Sequence, residues 1–206
     1  MGLHHSGAMG SDLLMAVARH GQTDPNARGL WVGAGDDPLN ETGLKQAEEL
    51  AHSLREFHFD FIISSDKIRA KQTAQVLSKI LQVPIFGHHP VLRDREYGAL
   101  EGLTSDQIRE KYGIEMRSLS REIDDLGAGE TVEEVQKRVR EFVDEARKTF
   151  AGKAVIVITH GAFIRSLYEM YIGYSHGLRF TNCSHFVVKM TDNGTQLIRD
   201  LTTIKS

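Results

Sequence analysis

The chain has 206 residues, 40% of them hydrophobic and 26% charged, with 25 Lys and Arg against 28 Asp and Glu. That composition fits one compact domain, or at most two small ones, and excludes disordered and fibrous classes. No apolar run, residues 154–158 among them, approaches the roughly 18 residues of a membrane span, and near-balanced charge without Lys/Arg runs gives nucleic acid no footprint.

Residues 1–11, MGLHHSGAMGS, lack the charged and apolar regions of a signal peptide and read as an expression remnant, leaving residues 12–206 as the expected single domain. Residues 13–18 form a buried-strand pattern that stops at Arg19-His20-Gly21. A polar loop with Gly and Pro follows to about Asn40. Leu44, Ala47, Leu50, Ala51, Leu54 and Phe57 then recur at helical spacing, with Thr42 as the expected N-cap. Residues 59–63 predict a second strand closing on Ser64-Ser65-Asp66. Ala70, Thr73, Ala74, Leu77, Ile80 and Leu81 mark the next helix. Residues 83–86 predict a short third strand, placed at an edge by Pro84.

Residues 92–129 read as irregular apart from a helix over Ser105–Tyr112. Thr131 followed by Glu134 is a capping-box signature, and Val132, Val135, Val139, Val143 and Ala146 give the long helix behind it an apolar face. Residues 154–158 are the cleanest buried strand, ending at Thr159-His160-Gly161 before a helix over residues 162–172. Residues 186–190 and 196–201, around Asp192-Asn193-Gly194, predict an edge hairpin. Strands alternating with helices imply a three-layer α/β/α fold with a mainly parallel central sheet and an antiparallel edge hairpin. Ligands of such sheets sit beyond the carboxyl ends of the strands, where His20, Ser64-Ser65 and His160 would share one rim.

Several chemistries are absent. No G-x-x-x-x-G-K-[ST] loop occurs, and Gly127-Ala128-Gly129 lacks the third glycine of a dinucleotide fingerprint and follows no strand. The single thiol, Cys183, has Lys189 rather than Arg six positions on, so it lacks the loop of cysteine phosphatases. It can form neither an intrachain disulfide nor a Cys-rich zinc site, and a reducing cytoplasm is the expected compartment. Gly173-Tyr174-Ser175-His176-Gly177 matches the G-x-S-x-G elbow of serine hydrolases, but a helix rather than a strand precedes it. Gly173 reads instead as a residue just past a helix end.

The stronger constellation is Arg19-His20-Gly21 at one strand's end, His160-Gly161 at another, and Arg69 just past a third. With these stand RHGQT and Asn26, Asp37-Pro38-Leu39 with Gly43 and Gln46-Ala47, SSDKIRAKQTA, LRDREYGALEG at 92–102, GET at 129–131 and THGAFIR at 159–165. In these blocks and their order, the chain resembles the phosphoglycerate-mutase-like branch of the histidine phosphatase superfamily over nearly all of residues 13–190. The resemblance implies that His20 is the nucleophile and that Arg19, Arg69 and His160 form a phosphate pocket, with no metal and no cofactor. It implies a small phosphorylated substrate as the partner and leaves the oligomeric state open.

The physical chemistry is compatible with those roles. A neutral imidazole is a competent nucleophile near pH 7 if its other nitrogen is held as a donor. Phosphoryl transfer spreads negative charge over three equatorial oxygens, which planar guanidinium forks match better than ammonium groups. The helix after Gly161 would add its first N–H groups.

A leaving alkoxide also needs a proton. The family acid is a Glu four residues before the glycine of its LREhxxG segment, and Gly98 puts that position at Asp94, a departure. Glu96 and Glu101 are the reserve candidates. Thr23 and Asn26, and more weakly Tyr97, are the expected substrate-binding residues. Gln22 and Asp24-Pro25 depart from the family pattern in this loop, and Trp31 either walls the pocket or packs the loop. His52, His58, His88, His89, His176 and His185 show no ligand spacing and read as structural or surface.

The expected activity is therefore hydrolysis of small phosphomonoesters through phosphohistidine. The alternatives are a cofactor-dependent phosphoglycerate mutase, for which the roughly 26 residues between Gly102 and Gly129 are short, and a weakly catalytic phospho-ligand binder.

Overall fold

The computed structural model describes residues 11–126 and 129–205, so nearly all of the expected remnant, and Gly127 and Ala128, lie outside the described residues. The strands are β1 (Leu13–Arg19), β2 (Phe61–Ser64), β3 (Ile85–His88), β4 (Ala154–Thr159), β5 (His185–Thr191) and β6 (Gly194–Thr202). The helices are α1 (Asp24–Ala27), α2 (Glu41–Leu54), α3 (Ile68–Leu81), α4 (Ser105–Tyr112), α5 (Val132–Thr149) and α6 (Gly161–Tyr171). One sheet runs in the order β3-β2-β4-β1-β5-β6. β1 to β4 are mutually parallel, while β5 and β6 run antiparallel.

Helices cover both faces of this sheet because alternate side chains of the central strands are apolar in both directions. Met15, Val17, Val155 and Val157 point to the face covered by α5 and α6, where Val139, Phe142, Phe163 and Leu167 meet them. Ala16, Ala18, Ile156 and Ile158 point to the other face and pack on Leu50 and Leu54 of α2 and Leu77 of α3. A third, smaller cluster of Tyr97, Leu100, Ile108 and Ile123 sits under the irregular segment, with Trp31 and Met116 packed against it. The three-layer expectation therefore holds.

Boundaries moved where caps and turns decided them. Asn40, not Thr42, caps α2: its side chain accepts the Gly43 N–H at 2.8 Å, so the helix starts two residues earlier and ends at Leu54, with Phe57 in the following turn. β2 begins at Phe61 rather than Phe59, because Asp60 holds the entry through a carboxylate–amide bond to Ala154 at 2.9 Å. β3 starts after Pro84 and pairs only with β2, the edge position its proline requires. Of the hairpin, β6 alone is the edge, since β5 lies between β1 and β6. Among the described residues no helix is long and apolar enough to cross a membrane.

Candidate active site

Register places the site. β1 pairs with β4 so that Arg19 stands opposite Thr159, and β2 pairs with β4 so that Ser64 stands opposite Ile158, which brings three strand ends to one rim. The next residues, His20 and His160, therefore meet, with ring centroids 5.0 Å apart and planes at 61°. Both are buried, at 2% and 0% exposure. His20 Nδ1 lies 2.7 Å from the Gly21 carbonyl oxygen, which can only accept, so Nδ1 carries the hydrogen and Nε2 keeps its lone pair. Arg69 Nε, 3.3 Å away, donates toward that lone pair. Burial, then the charges of Arg69 and Arg19, hold the His20 imidazole well below its ordinary pKa, against the opposing pull of the Gly21 carbonyl. Gly21 is required here because a Cβ would stand 2.5 Å from the Gly43 carbonyl oxygen of α2.

Arg69, in the first turn of α3, is aimed by two loop carbonyls, Gly35 O at 2.6 Å from NH1 and Gly33 O at 3.3 Å from NH2. Arg19 donates NH1 to Phe180 O at 2.8 Å. Its Nε, together with both ring nitrogens of His160, is buried without a hydrogen-bond partner among the described residues. Leaving one such group unpaired costs about 1–3 kcal/mol. A guanidinium edge and a ring nitrogen clustered beside the His20 lone pair suit a tetrahedral oxyanion, which would satisfy them together. Of the first N–H groups of α6, that of Ala162 is already taken by Asp94.

Asp94 lies at the N-terminus of α6, where its Oδ1 accepts from Ala162 N and Arg95 N, each at 2.9 Å. Burial raises its pKa, against the lowering effects of Ala162 N–H, Arg69, Arg19 and Arg95 N–H. The reserve carboxylates stand elsewhere. Glu96 is exposed and faces a second cavity, while Glu101 accepts from the backbone N–H groups of Gly33, Ala34 and Tyr97 and fixes the loop.

A cavity of about 490 Å³ runs outward from Arg19, Asp94 and Gly161. Asn26 lines it, with Oδ1 held by Asn182 Nδ2 at 3.1 Å. Tyr97 lines it too, in edge contact with Trp31 at 5.2 Å. Trp31 both walls the cavity and packs the loop, since its Nε1 donates to Ser105 Oγ at 2.9 Å. Thr23 is different. It is buried as the N-cap of α1, with its Oγ1 accepting from Asn26 N and its own N–H donating to Asn26 Oδ1, so it builds the wall without lining it.

Sequence reasoning missed Arg117, Arg165, Arg179 and Asn182, which also line the cavity. Arg165 stood in the THGAFIR block without a role. Its guanidinium donates to Ser118 Oγ, Ser175 Oγ and Leu178 O at 3.0–3.1 Å. Ser175, the elbow decoy, is thereby a buried loop residue past α6, bonded to Glu169 and Arg165, and Gly173 follows the C-cap Ile172. His52, His58, His89 and His176 are exposed, whereas His185 and His88 bond Ser53 and Ser64.

The profile of the Histidine phosphatase superfamily (branch 1) matches residues 15–200. The chain belongs to the histidine phosphatase superfamily. It is 33% identical over 182 residues to a metal-independent phosphoserine phosphatase of Arabidopsis thaliana, covering 86% of this chain and 76% of that protein. It is 32% identical over 161 residues to a 2,3-bisphosphoglycerate-dependent phosphoglycerate mutase of Rhizobium meliloti, covering 74% and 76%. The crystal structure of phosphoglycerate mutase from Bacillus anthracis superposes with a TM-score of 0.79 at 25% identity, covering 93% of each chain. This histidine phosphatase is accordingly a phosphatase of small phosphoesters, as the resemblance implied.

Proposed function

We propose that the chain hydrolyses phosphomonoesters in two steps through phosphohistidine on His20. His20 Nε2 attacks phosphorus as the ester P–O bond breaks, and protonated Asp94 gives its proton to the departing alcohol oxygen. Asp94, now a carboxylate, takes a proton from water as that water attacks phosphorus, the N–P bond breaks, and inorganic phosphate leaves. Arg19, Arg69 and His160 hold the phosphoryl oxygens in both steps. The observation that carries this reading is the buried convergence of Arg19 Nε and the His160 nitrogens beside a lone pair whose tautomer Gly21 fixes. Burial moves the Asp94 carboxyl in the direction a proton donor requires, upward from its ordinary pKa.

The substrate carries a second negative group. Arg117, Arg165 and Arg179 line the cavity that opens from Arg19 and Gly161, and Asp94 is the one acidic residue among its described lining. The phosphoserine phosphatase name of the Arabidopsis relative agrees with such a substrate. The chain works in the cytoplasm, in keeping with a buried free Cys183.

A panel of phosphomonoesters with chelator present, read by released phosphate, tests this. Carboxylate-bearing or bisphosphate substrates should exceed phosphates of neutral alcohols in kcat/KM. Release from none of them contradicts the proposal, and isomerisation of primed 3-phosphoglycerate outrunning phosphate release transfers it to the mutase reading.

A further inference from the structure

The GET block at 129–131 holds a carboxylate, Glu130, that the phosphoryl chemistry leaves unused. Its two oxygens take Nε and NH2 of Arg138, on α5, at 2.6 and 2.7 Å. The same guanidinium donates NH1 to the carbonyls of Val91 at 2.8 Å and Arg93 at 2.9 Å, and NH2 to that of Asp94 at 3.2 Å. The remaining carbonyl of this run, Leu92 O, accepts from Thr159 Oγ1 at 2.8 Å, one residue before His160. Glu130 is tied in by its backbone as well, N–H to Glu96 O and carbonyl from Arg95 Nε, both at 2.8 Å.

Residues 91–94 belong to no strand, so their four carbonyls would otherwise depend on water. One fork takes three of them while its own orientation is fixed by a bidentate carboxylate, a geometry an ammonium group cannot reproduce. Asp94 is thus held from its backbone by α5 and from Oδ1 by the first turn of α6. Among the described residues Oδ2 has no hydrogen bond.

We propose that the Glu130–Arg138 pair is a positioning device for Asp94, fixing the 91–94 backbone so that the unbonded carboxyl oxygen faces the leaving group. The inference rests on Asp94 as proton donor. Arg138 does not line the cavity that opens from Arg19 and Gly161, and its guanidinium meets the Asp94 carbonyl directly, so its loss should act first through the acid.

The test compares kcat/KM for p-nitrophenyl phosphate, whose leaving group needs no proton, with the alkyl phosphate that the wild type hydrolyses fastest. Asp94→Asn serves as the benchmark, alongside Arg138→Met, Arg138→Lys and Glu130→Gln. Misplacing a reacting group by about 1 Å costs about a hundredfold. Arg138→Met should lose about ten- to a hundredfold on the alkyl ester and under about threefold on the aryl ester, with Arg138→Lys and Glu130→Gln showing the same split at smaller size. Where Arg138→Met does not fold, Glu130→Gln, which keeps the side-chain shape, decides. Equal losses on both esters in folded variants, or no loss, overturn the device while an intact Asp94→Asn split leaves the acid assignment standing. Absence of the split in Asp94→Asn itself overturns both.

Discussion

Replacing Asp94 by Asn removes an acid while leaving its surroundings in place. The Asn oxygen can accept the Ala162 and Arg95 N–H groups that now stand 2.9 Å from Oδ1, so two hydrogen bonds worth about 1 kcal/mol each survive. The change also removes a carboxyl whose ionised form burial disfavours, so the fold should lose little stability. Catalysis should suffer selectively. General acid catalysis supplies about 10²–10⁴ in rate, or about 2.7–5.4 kcal/mol of barrier at 1.36 kcal/mol per tenfold. An alkyl phosphate should lose that factor in kcat/KM, which reports transfer to His20 and excludes the later hydrolysis. p-Nitrophenyl phosphate should change by under about threefold in kcat/KM, and should show a burst of nitrophenol because the same variant lacks the base for the second step. Unfolding is followed in urea alongside. Equal losses for the two esters, with an unchanged urea midpoint, would refute Asp94 as the acid.

Other perturbations probe the remaining parts of the site. Arg69→Lys keeps a charge but loses the fork aimed by Gly33 and Gly35, and should cost about 10²–10³ in kcat/KM on aryl and alkyl esters alike; a loss below tenfold would count against a guanidinium-specific role. His20 and His160 are buried with pKa values held well below 6.5, so below that pH the unfolded chain binds protons the folded chain refuses. Stability should be fully present above 6.5 and fall as pH drops toward the depressed values, and His160→Gln should flatten that slope in urea titrations. An unaltered slope would contradict the burial argument. Gly43→Ala places a Cβ 2.1 Å from the Gln22 carbonyl oxygen. In an ordinary helix Gly→Ala stabilises by about 1 kcal/mol; here the urea midpoint should fall by an equivalent of about 1–3 kcal/mol and activity with it, because the loop after His20 must move.

The parts of the fold that could be read in advance were those whose burial imposes a period. β1 and β4 showed as apolar runs because both faces of the sheet are covered, and the histidines ending them fixed the rim where the site would lie. Cap chemistry was harder to place. Asn40 and Thr42 are both good caps two residues apart, and only the Gly43 N–H decides between them. Thr23 and Asn26 stand three apart in a reciprocal cap that sequence spacing also contains, yet Thr23 read as a ligand because the motif around it draws attention to substrate. The cavity's outer arginines had no such signal. Arg117 and Arg179 lie in segments without helix or strand period, and only the fold brings them beside Arg165. The Asp94 support was hidden for the same reason, since Arg138 reaches 44 residues along the chain to the Asp94 carbonyl.

The most direct measurement is to mix Asp94→Asn with p-nitrophenyl phosphate, quench in base within the burst, and map the phosphorylated residue by mass spectrometry. The account predicts near-stoichiometric phosphate on His20, released by acid and absent from His20→Ala. A burst without protein-bound phosphate, or phosphate carried on any other residue, would contradict it.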